Sequence, residues 1–436
     1  MITQQEFTSR QDRLLAQCPP DSVCVIPSST LVTRSRDTEY KFRQNSYFWY
    51  LTGFAEPDSV LLLSNHSRHP SAYRAMVCQA KDEHAEVWHG RRLGAQQALG
   101  QFDLDEAYEN DQLDTILDEW LDGHSHVFFP LGEEAWAEKQ VMESFQRLRN
   151  NPRKFLVPQH LSDPRPLLDE MRVFKSAAEI ATMKAAAKMT SEAHCRAMQF
   201  ARPGCYEYQL AAEIHHHIAM AGAHYPAYGT IVGSGENACI LHYTENTDLI
   251  EDGNLVLIDA GAEYQGYAAD ITRTFPVSGK FTEAQAKVYQ IVLKAQEAAI
   301  DLLKPGVTLT QANEASSKIL IAGLIELGIL NGTVEENLEN QAYRAFYMHG
   351  LGHFLGLDVH DVGVYKIDGE DRPLKPGMVL TIEPGLYLPN HETVPEDYRG
   401  IGVRIEDNIV ITAQGTEILT ASVPKSIADI EALMSN

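Results

Sequence analysis

The chain has 436 residues, 44% of them hydrophobic, enough for two or three domains with cores of their own. Lys and Arg number 36 against 60 Asp and Glu, a formal net charge of −24, which argues against a nucleic-acid partner because phosphate attraction needs a basic patch. No stretch approaches the ~20 apolar residues of a membrane span, and the 6 cysteines are scattered with no C-x-x-C pair, as expected of reduced thiols in a cytoplasmic protein.

Residues 1–17 are polar and of mixed charge, without the basic start and apolar run of a secretion signal. A helix is predicted over 4–17, then strands at 22–27, 59–64, 73–80 and 126–130, and a helix over 133–149. Short apolar runs between helical stretches describe an α/β domain around a central sheet. Two prolines within 161–167 punctuate the chain. The junction is placed near Met171, giving an N-terminal domain 1–171 and a second domain 172–436.

The second domain opens with helices over 176–200, closed by Pro203-Gly204, and 207–222. Strands follow near 229–232 and 255–259. A helix over 282–303 starts at a capping box of Thr282 with Gln285 and stops at Pro305-Gly306. Another helix covers 309–327. From Gly350 onward glycines and β-branched residues dominate, so the pattern is α+β: helices on one large, mostly antiparallel sheet. An internal echo runs through it. Asp259 follows Gly253 and precedes Gly261 at the spacing with which Glu383 follows Gly377 and precedes Gly385.

Asp259 and Asp270 flank a hairpin. A turn centred between Tyr264 and Gln265 sets them directly opposite, with Cβ atoms about 4.5–5.5 Å apart, where two like charges repel unless a cation lies between them. A one-residue slip would instead separate them. Glu383 and Glu406 form a second candidate pair in strand-like stretches 379–387 and 402–411. Each interrupts an apolar run, and a buried carboxylate needs a partner. Three histidines, His349, His353 and His360, fall within twelve residues among Gly350, Gly352 and Gly356. The glycines argue against a helical zinc pair. On irregular backbone, His353 is free to ligate while His349 and His360 face a substrate. The cluster His215, His216 and His217 is a decoy, because adjacent helical residues point about 100° apart and cannot converge. Two Asp, two Glu and one His make an oxygen-rich set that suits Mn²⁺, with Mg²⁺, Fe²⁺ or Co²⁺ as other divalent choices.

The histidine block 349–361, the block 382–387 around Glu383-Pro384-Gly385 and the block 402–408 around Glu406 resemble the signatures of the pita-bread metallopeptidases, the family of methionine aminopeptidase, prolidase and aminopeptidase P. Blocks 36–57 and 231–246 are similar to bacterial aminopeptidase P, so the resemblance spans essentially the whole chain. It implies an α/β N-terminal domain serving oligomerisation and site access, and an α+β pita-bread (creatinase/aminopeptidase-like) catalytic domain. It implies hydrolysis of the N-terminal Xaa-Pro bond of peptides by a metal-bridged water at two Mn²⁺ per subunit. Asp259, Asp270, His353, Glu383 and Glu406 would be the ligands, with Asp270 and Glu406 bridging. Glu383 would also be the base. His242 and His360 would contact the scissile carbonyl, and His349 the proline-side residue. Arg404 and Tyr228 would orient Asp259. Trp88 and Asp37 would line a neighbouring subunit's site, which implies a homo-oligomer, tetramer or dimer. Three alternatives stay open: prolidase, which cuts only Xaa-Pro dipeptides; a non-catalytic peptide-binding protein on the same fold; and a metal-independent amidinohydrolase.

Overall fold

The computed structural model describes residues 2–69 and 71–435; Met1, Pro70 and Asn436 lie outside the description. The chain divides into two compact units, 2–171 and 172–435.

The first unit is a six-stranded mixed sheet with helices. Its strands lie in the order Glu106–Glu109, Tyr73–Cys78, Val60–Ser64, Ser22–Pro27, His126–Phe128, His160–Ser162. The central strands are buried along their whole length, which is why Val60 to Leu63 read as an unbroken apolar run rather than an alternation. Helix Gln4–Leu15 buries Phe7, Arg10, Gln11, Leu14 and Leu15, one helical stripe. Helix Ser46–Thr52 was not anticipated, although its ends are coded. Asn45 accepts from the N–H groups of Tyr47 and Phe48, and Gly53 takes a left-handed φ of 64° to end it. Helix Leu113–Leu121 was also not anticipated; it buries Leu113, Ile116, Leu117, Trp120 and Leu121.

In the second unit, helices Ala177–Phe200, Glu207–Met220, Glu283–Leu302 and Leu309–Glu326 pack on antiparallel strands. The capping box at Thr282 and Gln285 is present, as is one at Ser176 and Glu179. Their shared core includes Val256, Ile258, Phe275, Val288, Val292, Leu320, Leu324 and Val403. Strand pairing departs from the expected single sheet. It is divided into short ladders: Ile231–Ser234 with Leu255–Ala260 and Ile271–Pro276; Val379–Ile382 with Asp407–Thr412 and Gly415–Ile418; and Gly385–Leu388 with Ile401–Arg404. Glu383 and Glu406 therefore do not lie within continuous strands. Each falls in the break between two ladders, where the backbone turns its side chain inward.

The hairpin register also differs from the expected one. Gln265 and Gly266 both have positive φ, 51° and 84°, which makes them the central pair of a two-residue hairpin turn between Tyr264 and Tyr267. The turn is thus centred between Gln265 and Gly266, and Asp259 opposes Thr272 rather than Asp270. A shift of two residues preserves the side-chain face, so the acids still point into the same space. The ladder breaks at Gly261, where a Cβ would run into the Ala269 carbonyl; only glycine permits that crossing.

Candidate metal centre

The strand breaks aim their side chains into one cavity of about 630 Å³ in the second unit. Tyr228, His242, Asp259, Asp270, His349, His353, His360, Glu383, Arg404 and Glu406 all line it, with Ile231, Leu241 and Val359 supplying apolar wall. The internal echo has its explanation here. Asp259 is the penultimate residue of one ladder strand and Asp270 precedes its partner; Glu383 follows another strand and Glu406 precedes its partner. Each half contributes two acids.

Asp270, His353 and Glu406 offer ligand atoms within 4.8 Å of one another, close enough to hold a single ion. Asp259 adjoins them through Tyr228, whose hydroxyl lies 2.6 Å from Asp259 Oδ1 and also hydrogen-bonds Asp270 Oδ1. Glu383 adjoins through His353, with Oε1 3.5 Å from Nε2. His353 Nδ1 lies 2.9 Å from the Phe354 carbonyl, so a neutral ring carries its proton there and turns the Nε2 lone pair towards Asp270 and Glu383. His353 also owes its place to Gly352, where a Cβ would strike the Thr381 carbonyl.

Electrostatics supply the test of fit. Burial pushes the carboxyls of Asp259 and Glu406 up, and that of Glu383 to about 8. Burial acts on Asp270 in the same sense, but the hydrogen bond and charge of His353 outweigh it and hold that carboxyl below its ordinary value. Burial would lower His353, yet Asp270 and Glu383 carry it up to about 9. Four carboxylates stripped of water are stable as anions only if positive charge joins them. Arg404 supplies part of it, donating to Asp259 Oδ2 at 2.7 Å. The oxygen-rich donor set with one imidazole fits divalent cations.

Supporting contacts surround this set. Arg404 also donates to the hydroxyls of Tyr387 and Thr272, at 3.0 and 3.1 Å. Thr272 donates to Glu406 Oε2 at 2.7 Å, and Thr381 Oγ1 lies 3.3 Å from Glu383 Oε1. His349 is fixed at both nitrogens, Nδ1 on the Gly350 carbonyl at 2.8 Å and Nε2 on the Tyr387 hydroxyl at 2.7 Å, and burial lowers its pKa to about 4. A neutral ring at that position accepts from Tyr387. The His360 ring packs against His353 with centroids 4.2 Å apart, and burial, then the charge of His353, lowers it. Tyr387, Thr272 and Thr381 were not singled out from the sequence. Hydroxyl residues on strands are common, and only their register beside the acids marks them. Trp88 and Asp37 belong to the first unit, where both are exposed, Trp88 at 74%. The decoy histidines lie on helix Glu207–Met220; His215 bonds Thr230 Oγ1 and His217 faces Glu192, so they do not converge.

Residues 181–413 match the family described as Metallopeptidase family M24, and residues 7–128 match the aminopeptidase P N-terminal domain. The Xaa-Pro aminopeptidase of Escherichia coli is 50% identical over 434 residues, covering 99% of this chain and 98% of its own. Among solved structures, proline aminopeptidase P II from Yersinia pestis aligns with a TM-score of 0.97 at 50% identity over 100% of both chains. A zinc-substituted E. coli aminopeptidase P in complex with product aligns with a TM-score of 0.97 at 50% identity, over 100% of this chain and 98% of that one.

Proposed function

The chain belongs to metallopeptidase family M24 and is an enzyme of the Xaa-Pro aminopeptidase kind, and from that premise we propose that it works with a dinuclear Mn²⁺ centre held by Asp259, Asp270, His353, Glu383 and Glu406. Held by these residues, such ions would lower the pKa of a bound water and polarise the scissile carbonyl. The observation that carries the reading is the convergence of Asp270, His353 and Glu406 to single-ion spacing, with two further acids beside them.

The chain's own residues then have distinct tasks. Glu383 takes the proton of the attacking water and returns it to the proline nitrogen, a tertiary amide nitrogen that must gain a proton to leave. His242 and His360 face the cavity and donate to the carbonyl oxygen as negative charge gathers on it. His349, locked by Gly350 and Tyr387, holds the proline-side residue. Arg404 and Tyr228 fix Asp259. Exposed Trp88 and Asp37 fit residues that line a neighbouring subunit's site in a homo-oligomer, tetramer or dimer, and oligomerisation and site access are the roles proposed for the N-terminal domain 1–171. The substrates are peptides with proline second, met in the cytoplasm. Among the described residues no helix is long and apolar enough to cross a membrane.

Product analysis tests the proposal. Mn²⁺-loaded protein is given an Xaa-Pro-Yaa tripeptide, an Xaa-Pro dipeptide and an Xaa-Ala-Yaa control. Release of Xaa from the tripeptide alone, abolished by chelation, is expected. Cleavage confined to the dipeptide would make the protein a prolidase, and turnover that survives complete metal removal would refute the metal centre.

A further inference from the structure

Asp270 lies just outside its strand, at the place where the hairpin ladder has broken. Its own backbone groups still need partners, because a buried N–H or C=O left unpaired is costly. They find them in a side chain. The Asp270 N–H donates to Asn408 Oδ1 at 3.0 Å, and Asn408 Nδ2 donates back to the Asp270 carbonyl. The carboxamide of Asn408 thus makes the two-point pairing that a neighbouring strand would make.

The position of Asn408 explains why. Where the two halves of the second unit meet, Arg404 N–H bonds Thr274 Oγ1 at 3.3 Å and Glu406 N–H bonds the Thr272 carbonyl at 3.0 Å. The next step of that alignment brings Asn408 opposite Asp270. There the backbone has already left to pair with Thr381 and to accept from Leu419 N–H. The side chain, 1% exposed, fills the vacated place. One residue is therefore tied by its backbone to the Glu383–Glu406 half and by its side chain to the Asp259–Asp270 half.

We propose that Asn408 is a positioning residue for metal capture: it sets Asp270 at the height where that carboxylate can serve both halves of the site. The proposal rests on the dinuclear reading above. Asn408 touches neither substrate nor ion, and it acts only through Asp270. Truncating such an outer partner weakens metal binding by roughly 10–100-fold.

The test is Mn²⁺ titration of the metal-free full chain by calorimetry, beside thermal melting of the same metal-free samples. Asn408→Ala is expected to bind Mn²⁺ roughly 10–100-fold more weakly than wild type. Asn408→Ser keeps a neutral polar side chain that is too short to span both the Asp270 N–H and its carbonyl, so a loss in the same direction is expected; it carries the test if the alanine variant does not fold. Thr420→Val is the control. Thr420 Oγ1 accepts from Asn408 N–H at 3.1 Å without touching Asp270, so this variant loosens the same strand and should keep wild-type affinity. Equal affinity in wild type and the Asn408 variants, or an equal loss in Thr420→Val, would overturn the proposal while leaving the dinuclear reading intact. A wild-type chain that takes up no Mn²⁺ would sink both.

Discussion

Replacing Arg273 with methionine removes a guanidinium that is fully buried beneath the carboxylate cluster. Its nitrogens reach five acceptors: Asp407 Oδ1 at 2.7 Å and the carbonyls of Glu406, Thr272, Pro424 and Val423 at 2.5, 2.9, 3.2 and 3.3 Å. Breaking a buried pair by removing one partner costs about 3–5 kcal/mol. Asp407 is not wholly abandoned, since Lys425, Thr420 and Gln296 remain at 2.8, 2.7 and 3.1 Å. That places the loss at the lower end, about 3 kcal/mol, most of it from the charge-assisted bond and the orphaned carbonyls. At about 2–4 °C per kcal/mol for a domain of this size, the melting temperature should fall by about 6–12 °C. Differential scanning calorimetry of the metal-free chain measures it, so that lost metal does not enter the result. A fall of less than about 2 °C would mean that the remaining partners of Asp407 hold the strands unaided, and the reasoning would be refuted.

Two further outcomes are expected. His360→Ala should lower kcat by roughly 10²–10³ while elemental analysis finds metal content unchanged, as for a lost oxyanion donor; an unaltered kcat would remove His360 from the chemistry. In the first unit, buried His124 bonds Ser64 Oγ at 2.7 Å, and burial, with Arg68 and His66 opposing a second charge and Asp21 favouring it, lowers its pKa to about 3. Its folded value lies below the unfolded one. The stability that the neutral ring confers is therefore complete above about pH 6.5 and is lost as pH falls towards 3, by roughly 5 kcal/mol at most. His124→Gln should flatten the acid limb of a pH–stability curve in that window, and a limb of unchanged slope would contradict the assignment.

The acids and histidines that line the cavity were legible in the sequence because their types are improbable where they stand: acids inside apolar runs, and histidines among glycines. The long helices were legible through their caps, as at Thr282 and Gln285. What escaped was geometry set by single backbone angles. The register of Asp259 and Asp270 turned on whether Gln265 could take positive φ, and glutamine gives no hint that it does. A two-residue error kept both acids on the correct face, so the site survived a wrong pairing. Breaks at Gly261 and beside Glu383 and Glu406 divided a sheet that periodicity alone reads as continuous. The supporting hydroxyls and Asn408 were silent for the same reason: their meaning lies in which acid they oppose.

The division of the acids between two distant stretches has a consequence for how the protein is made. A ribosome releases Asp259 and Asp270 first, while Glu383, Glu406, Asn408 and Lys425 are still to be translated. The hairpin 255–276 therefore emerges carrying half of the acid cluster, with neither the clamp on Asp270 nor the positive charge that Arg404 brings to Asp259. A chain truncated anywhere between Asp270 and Glu383 offers only two of the four acids that line the cavity.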